Sequence, residues 1–403
     1  MDLRADELTF PKIYCGKPRK IKENTKLTYA KIAKSELRMF DRRCGRVSKL
    51  FFTYKKLQTR KFCDAISINL KKTKNTKNVT AVQMLNRDYV SGLINNNDAF
   101  TFLRCDRSSP AFWELKKKEV MAMIRQLGCA TIFLTLSAAE TKWSELIVVL
   151  TQVLENKVIT LQEAGNLSYE KKCDLIRNDP VTCVRYFEHR LKCLWEILSA
   201  PCGPFQGYEL EDKYVRVEFQ IRGSPHIHAL LWLKNAPKYE KEKPESVERC
   251  TKFIDKLVSV SSNPTEFSHD LINLQRHKHS HTCKKHVKNG NKCRFGIPFF
   301  PMRKAMILEP FDDGETLSNE ERKKISENKK NVAKELDKIS KDIDNSLSFD
   351  QFLENIGINE QEYIRAIRVD LKKAKVFLKR APNEVRINPY NPMIMSLHRA
   401  NMD

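Results

Sequence analysis

His226 and His228 stand two residues apart in the apolar run Ser224-Pro-His-Ile-His-Ala-Leu-Leu-Trp-Leu233. The run has the length and character of a buried strand. Alternation along a strand turns residues two apart to the same face, so both imidazoles look one way while Ile227 and Ala229 look the other. Imidazoles on an apolar sheet are costly to bury unless something satisfies them, and a divalent metal is a common partner. The preceding stretch, Tyr214-Val-Arg-Val-Glu-Phe-Gln220, alternates as well, with Val215, Val217 and Phe219 on a core face and Arg216, Glu218 and Gln220 on a polar one. Arg222-Gly-Ser224 fits a three-residue hairpin loop in which glycine supplies a positive φ. Pairing Ile221 with Pro225 then sets Gln220 opposite His226 and Glu218 opposite His228. Two imidazoles, a carboxylate and an amide on one face form an N/O donor set for a divalent cation, with positions left open for substrate. A lone His-x-His is more often a satisfied core pair; the in-register acid is what favours the metal.

A second group lies at His277-Lys-His-Ser-His-Thr-Cys283-Lys-Lys-His286, followed by Cys293. Thiolates and imidazoles at such spacing suit tetrahedral Zn²⁺, which would fold a basic loop too polar to hold itself. Cys283 and Cys293 are the expected thiolates. His279 and His281 are the preferred imidazoles, with His277 and His286 as alternates. The other cysteines, such as Cys129, Cys183 and Cys193, sit singly in apolar segments and read as small buried hydrophobes.

The elements that must carry these groups are legible in the periodicity. Ser109-Pro110 is a helix start, and Phe112, Leu115, Val120, Met123, Ile124 and Leu127 follow at helical spacing up to Gly128. Cys129 to Leu136 is a continuous apolar strand, expected to be central. Further helices are expected from about Ala138 through Leu150, after Pro180, and over 246–258. A long amphipathic helix over 318–343 opens on the capping box Ser318-x-x-Glu321. Helices before an antiparallel hairpin define an α+β class: an antiparallel sheet with flanking helices, a zinc-binding loop and a helical insertion.

Lys and Arg number 73 against 50 Asp and Glu, a net charge of +23 over 403 residues. A field of that size, spread along the chain, favours a polyanionic partner, and nucleic acid is the expected one. Arg216 and Arg222, beside the histidine pair, are its candidate contacts. No apolar run reaches membrane-spanning length and the N-terminus lacks a signal-peptide core, so no membrane partner and an intracellular place are expected. Lys17-Pro-Arg-Lys-Ile-Lys22 has the make-up of a nuclear import signal, although short basic runs are mostly solvated tails.

Glu218-Phe-Gln-Ile-Arg-Gly-Ser-Pro-His-Ile-His228 resembles the His-hydrophobic-His motif of the Rep nuclease domain in Helitron rolling-circle transposases. Phe133-Leu-Thr-Leu-Ser-Ala-Ala-Glu-Thr-Lys-Trp143, Asp179-Pro-Val-Thr-Cys-Val-Arg-Tyr-Phe-Glu-His189, Cys293-Arg-Phe-Gly-Ile-Pro298, Arg380–Pro392 and Arg399-Ala-Asn-Met-Asp403 are similar to other parts of that family's N-terminal domain, in the same order. The resemblance covers roughly 29–403. With the polar, basic composition of 1–28 and the composition shift after Leu233, the expected organisation is a basic tail (1–28), a Rep-like core (29–240), a linker with the His/Cys segment (241–310), a helical insertion (311–375) and a return to the core (376–403). The resemblance also implies a nuclear enzyme that nicks and transfers single-stranded DNA. In the family, two histidines and a third polar ligand hold Mg²⁺ or Mn²⁺ on the scissile phosphate, and a tyrosine attacks the phosphorus to form a 5′-phosphotyrosine.

The sequence departs from that pattern at the nucleophile. The family's two tyrosines stand four apart on a helix shortly after the Ala-Asn-Met-Asp stretch, and no Tyr-x-x-x-Tyr pair occurs here. Tyr363 and Tyr390 are poor substitutes. The expectation is a C-terminally truncated transposase, without its helicase domain and inactive alone; the competing reading is a non-catalytic module that binds single-stranded nucleic acid.

Overall fold

A computed structural model describes residues 4–20, 25, 27–72, 81–95, 103–219, 223–241, 243–262, 269–284, 293–311, 318–342 and 346–402. The class is α+β, with small antiparallel sheets among many helices. The chain forms two compact units, Met1–Cys129 with Ser144–Tyr186, and Ala130–Trp143 with Phe187–Asp403.

The first unit is helical among its described residues. The segment expected as a basic tail contains the short helices Ala5–Thr9 and Pro11–Tyr14. Asp6, fully buried, accepts from the Tyr29 hydroxyl at 2.6 Å and from the ammonium groups of Lys49 and Lys56 on the helix Val47–Lys72. Burial alone would raise the Asp6 pKa, but these three donors hold it well below the usual carboxylate range. Pro110–Leu127 forms as expected, with the Ser109 side chain accepting from Phe112 N and Gly128 closing it at φ 83°. The helix expected from Ala138 instead begins at Ser144 and ends at Glu155, after a 3₁₀ turn at Glu140–Lys142. Cys129, expected to be buried, is exposed; Cys183 is buried.

The second unit holds the candidate site. Its main sheet has the order β1 (Ile132–Ser137), β3 (Pro225–Leu233), β2 (Leu210–Phe219), antiparallel throughout. The strand after Cys129 is therefore not central: β3 is, and β1 is a flank whose Phe133 is 59% exposed. A continuous apolar run suggests burial on both faces; here Leu134 and Leu136 are buried, as is Thr135 between them, while Phe133 is exposed. Ile227, Ala229 and Leu231 of β3 share the face of Leu134 and Leu136 and are buried. On β2 the expected core residues Val217 and Phe219 are exposed, although Val217 pairs with fully buried Ile227 of β3.

A second, two-stranded sheet pairs β4 (Met306–Leu308) with β5 (Lys375–Phe377). It shares a core with the helices Asn319–Lys341, Phe349–Ile356 and Glu360–Arg368, through Val332, Leu336, Ile339, Phe352, Tyr363 and Phe377. The capping box at Ser318 and Glu321 is present. The first of these helices thus buries the stripe its sequence spacing defined.

Candidate metal centres

The polar face of the main sheet gathers Ser137 and Thr135 from β1, His226 and His228 from β3, and Arg216 and Glu218 from β2. The register differs from the expected one. Glu218 stands opposite His226, Arg216 opposite His228 and Phe219 opposite Pro225. The strands close two steps later than a three-residue turn allows, while Gly223 keeps the anticipated positive φ of 91°. A slip of two residues preserves which face each side chain takes, whereas a slip of one would have moved the acid to the core. Gln220 and Arg222 lie outside the described residues.

Glu218 reaches diagonally: its Oε1 is 3.4 Å from His228 Nε2. The two imidazole centroids are 4.6 Å apart at 71°. His226 Nδ1 meets Ser137 Oγ at 2.9 Å, and His228 Nδ1 is buried with no partner among the described residues. Burial lowers the His226 pKa, His228 lowers it further, and Glu218 opposes both. A neutral imidazole, the form that ligates, is favoured. Two ligand atoms each about 2.1 Å from one ion lie roughly 3.0–3.4 Å apart for octahedral to tetrahedral angles, and the Glu218–His228 separation of 3.4 Å falls there. Phe133 stacks on His228 at 5.8 Å and 6°, leaving an aromatic face in solvent beside the pair.

The His/Cys group is more tightly gathered. Ligand atoms of His277, His279, Cys283 and Cys293 all lie within 4.8 Å of one another; among the described residues the sheet trio is not so closely gathered. His277 Nε2 is 3.5 Å from Cys293 Sγ, and His279 Nδ1 is 3.6 Å from Cys283 Sγ. Those are the edges expected of a tetrahedron with about 2.1 Å nitrogen and 2.3 Å sulfur bonds. His277 replaces His281 in the expected set. His277 and His279 stand in a stretch without helix or strand, their rings 4.8 Å apart, whereas His281 starts the short helix His281–Lys284 that brings Cys283 inward. His286 lies outside the described residues. That stretch is held by Arg276 bridging Ile387, and by His277 N donating to Arg386 O at 2.7 Å. Burial lowers the His277 pKa, with the positive charges of His279 and Arg386 adding to it.

The sheet site belongs to an α+β domain that presents an acid and two imidazoles on one face. Residues 33–231 match the family described as the Helitron helicase-like domain at N-terminus, and that span is a Helitron-like N-terminal domain. Glu218, His226 and His228 fall inside the match; the His/Cys group falls outside it. No curated protein and no solved structure matches the chain.

Proposed function

We propose that this domain nicks and transfers single-stranded DNA through a Rep-like sheet, with Mg²⁺ or Mn²⁺ held by His226, His228 and Glu218. The observation that carries this reading is the separation of 3.4 Å between Glu218 Oε1 and His228 Nε2, with the second imidazole beside them. A cation held there would neutralise charge on a non-bridging phosphate oxygen, the chief demand of phosphoryl transfer. Arg216 on the same face adds positive charge next to a DNA backbone, and Phe133 offers a ring on which an unpaired base stacks. Zn²⁺ in the His277, His279, Cys283, Cys293 group ties down the basic loop. DNA as substrate makes the nucleus the place of action.

A second reading, binding without chemistry, is favoured by one observation. Tyr363 and Tyr390 are 0% and 1% exposed, and their hydroxyls donate to Pro301 O at 3.0 Å and Ser261 O at 2.9 Å. Neither can attack a phosphate without unfolding its surroundings. On this reading the protein binds Mn²⁺ and single-stranded DNA, and neither Tyr363 nor Tyr390 forms a covalent adduct. Mn²⁺ titration and a nicking assay on single-stranded DNA test both readings. His226→Ala with His228→Ala should abolish Mn²⁺ binding at the sheet and leave the melting temperature unchanged; unaltered Mn²⁺ affinity excludes the site. A protein–DNA adduct would show a tyrosine of this chain acting as nucleophile, free 5′-phosphate would show attack by water, and binding without cleavage supports the second reading.

A further inference from the structure

The two histidines of the sheet are not held alike. His228 has a buried Nδ1 with no partner among the described residues, whereas His226 Nδ1 meets the Ser137 hydroxyl at 2.9 Å. Ser137 is the cross-strand neighbour of His226, so β1–β3 pairing alone brings the hydroxyl to the ring. Its own backbone is pinned on both sides. Ser137 N donates to Asn401 O at 3.0 Å, and Ser137 O accepts from His398 Nε2 at 2.9 Å. Leu136 forms an antiparallel bridge with Met402, which places the segment 398–402 along the outer edge of β1.

That strap is itself anchored. The fully buried side chain of Gln275 donates to Ala400 O at 3.3 Å and accepts from Met402 N at 3.4 Å. Trp143 Nε1 donates to His398 O at 3.3 Å, and Arg190 donates to Leu397 O at 2.9 Å. Arg399 turns the chain with φ 55°.

We infer that Ser137 is a positioning residue: held by the 398–402 strap, its hydroxyl accepts from His226 Nδ1–H and leaves the Nε2 lone pair facing the site. This rests on the proposed cation site for its purpose, but the hydrogen bond stands apart from any metal. The other nitrogen of a ligating imidazole usually has such a partner, and where it does, the partner sets both tautomer and ring orientation. Without one, a neutral imidazole samples both tautomers and turns about its side-chain torsions. Serine in β1 is otherwise unremarkable for burial or pairing, so its value here is the hydroxyl.

The test uses the full chain, ¹⁵N-labelled and metal-free, with His226→Ala identifying the His226 signals. Long-range ¹H–¹⁵N imidazole spectra should show the Nδ1–H tautomer in the parent protein and lose it in Ser137→Ala. Ser137→Thr, which keeps a hydroxyl on a strand-compatible side chain, should restore it. In Mn²⁺ titrations Ser137→Ala should bind roughly tenfold to a hundredfold more weakly, with Ser137→Thr near the parent and all three melting alike. An unchanged tautomer in Ser137→Ala overturns the inference, and so does an equal loss of Mn²⁺ affinity in both variants. A parent protein that shows the Ser137-dependent tautomer yet binds no Mn²⁺ defeats the cation site and leaves the hold of Ser137 on the ring intact.

Discussion

Thiolate ligands dominate zinc affinity, because a bound Zn²⁺ keeps the sulfur deprotonated and each Cys contributes both charge and a soft donor. In the second unit Cys283 is buried and lies within hydrogen-bonding reach of His279 and of Ser280 N. Elemental analysis of the purified protein should find zinc, and Cys283→Ser should lose it. Zinc retained at the parent level in that variant would remove Cys283 from the ligand set. At the same scale, the residue types were legible and their grouping was not. Alternation alone puts His226 and His228 on one face; Glu218 joins them only through the assumed hairpin pairing, whose parity the structure keeps while moving the register by two residues. Choosing His277 over His281 needed the backbone path, because ligand sharing depends on where that stretch gives way to the short helix.

Elements decide how these residues are presented, and the helix Pro392–His398 does so through its last residue. His398 is 3% exposed; burial carries its pKa down to about 4, helped by the charge of Arg190 and opposed by its bond to Ser137 O. An ordinary histidine titrates near about 6.5. Between those values the unfolded chain binds the extra proton, so stability rises with pH there. The contribution is full above about 6.5 and falls away as pH drops towards 4, by roughly 3 kcal/mol in all. Urea unfolding at pH 7.5 and pH 5 should therefore show a weaker fold at the lower pH, with the difference reduced in His398→Gln. A pH dependence equal in the two proteins would show that His398 is not buried neutral. Helix existence was readable here from caps and stripes, as at Ser109 and Ser318. Strand order was not. The stretch after Cys129 is as apolar as a central strand, and only its neighbours reveal that Phe133 faces solvent.

Across the whole chain, the excess of positive charge makes the proposed binding testable by its salt dependence. On the proposed reading, a net charge of +23 would attract single-stranded DNA, with each phosphate neutralised releasing bound counterion. If about six phosphates are engaged, the logarithm of affinity should fall with the logarithm of salt at a slope near −4. Fluorescence anisotropy of a labelled oligonucleotide between 50 and 200 mM NaCl measures this directly. A flat response would show that the basic surface does not carry the binding. No helix among the described residues is long and apolar enough to cross a membrane.

Composition and local periodicity were enough for the α+β class, the basic character, the shared face of the two imidazoles, and the presence of a His/Cys group, because each depends on composition or on neighbours a few residues apart. Tertiary structure alone decided the β2–β3 register, the flank position of β1, the entry of His277 into the cysteine group and the junction of Ser137 with His226 and His398. Those contacts join residues 89 and 261 positions apart. Such distances are closed by packing and by sheet pairing, and neither leaves a period in the sequence to be read.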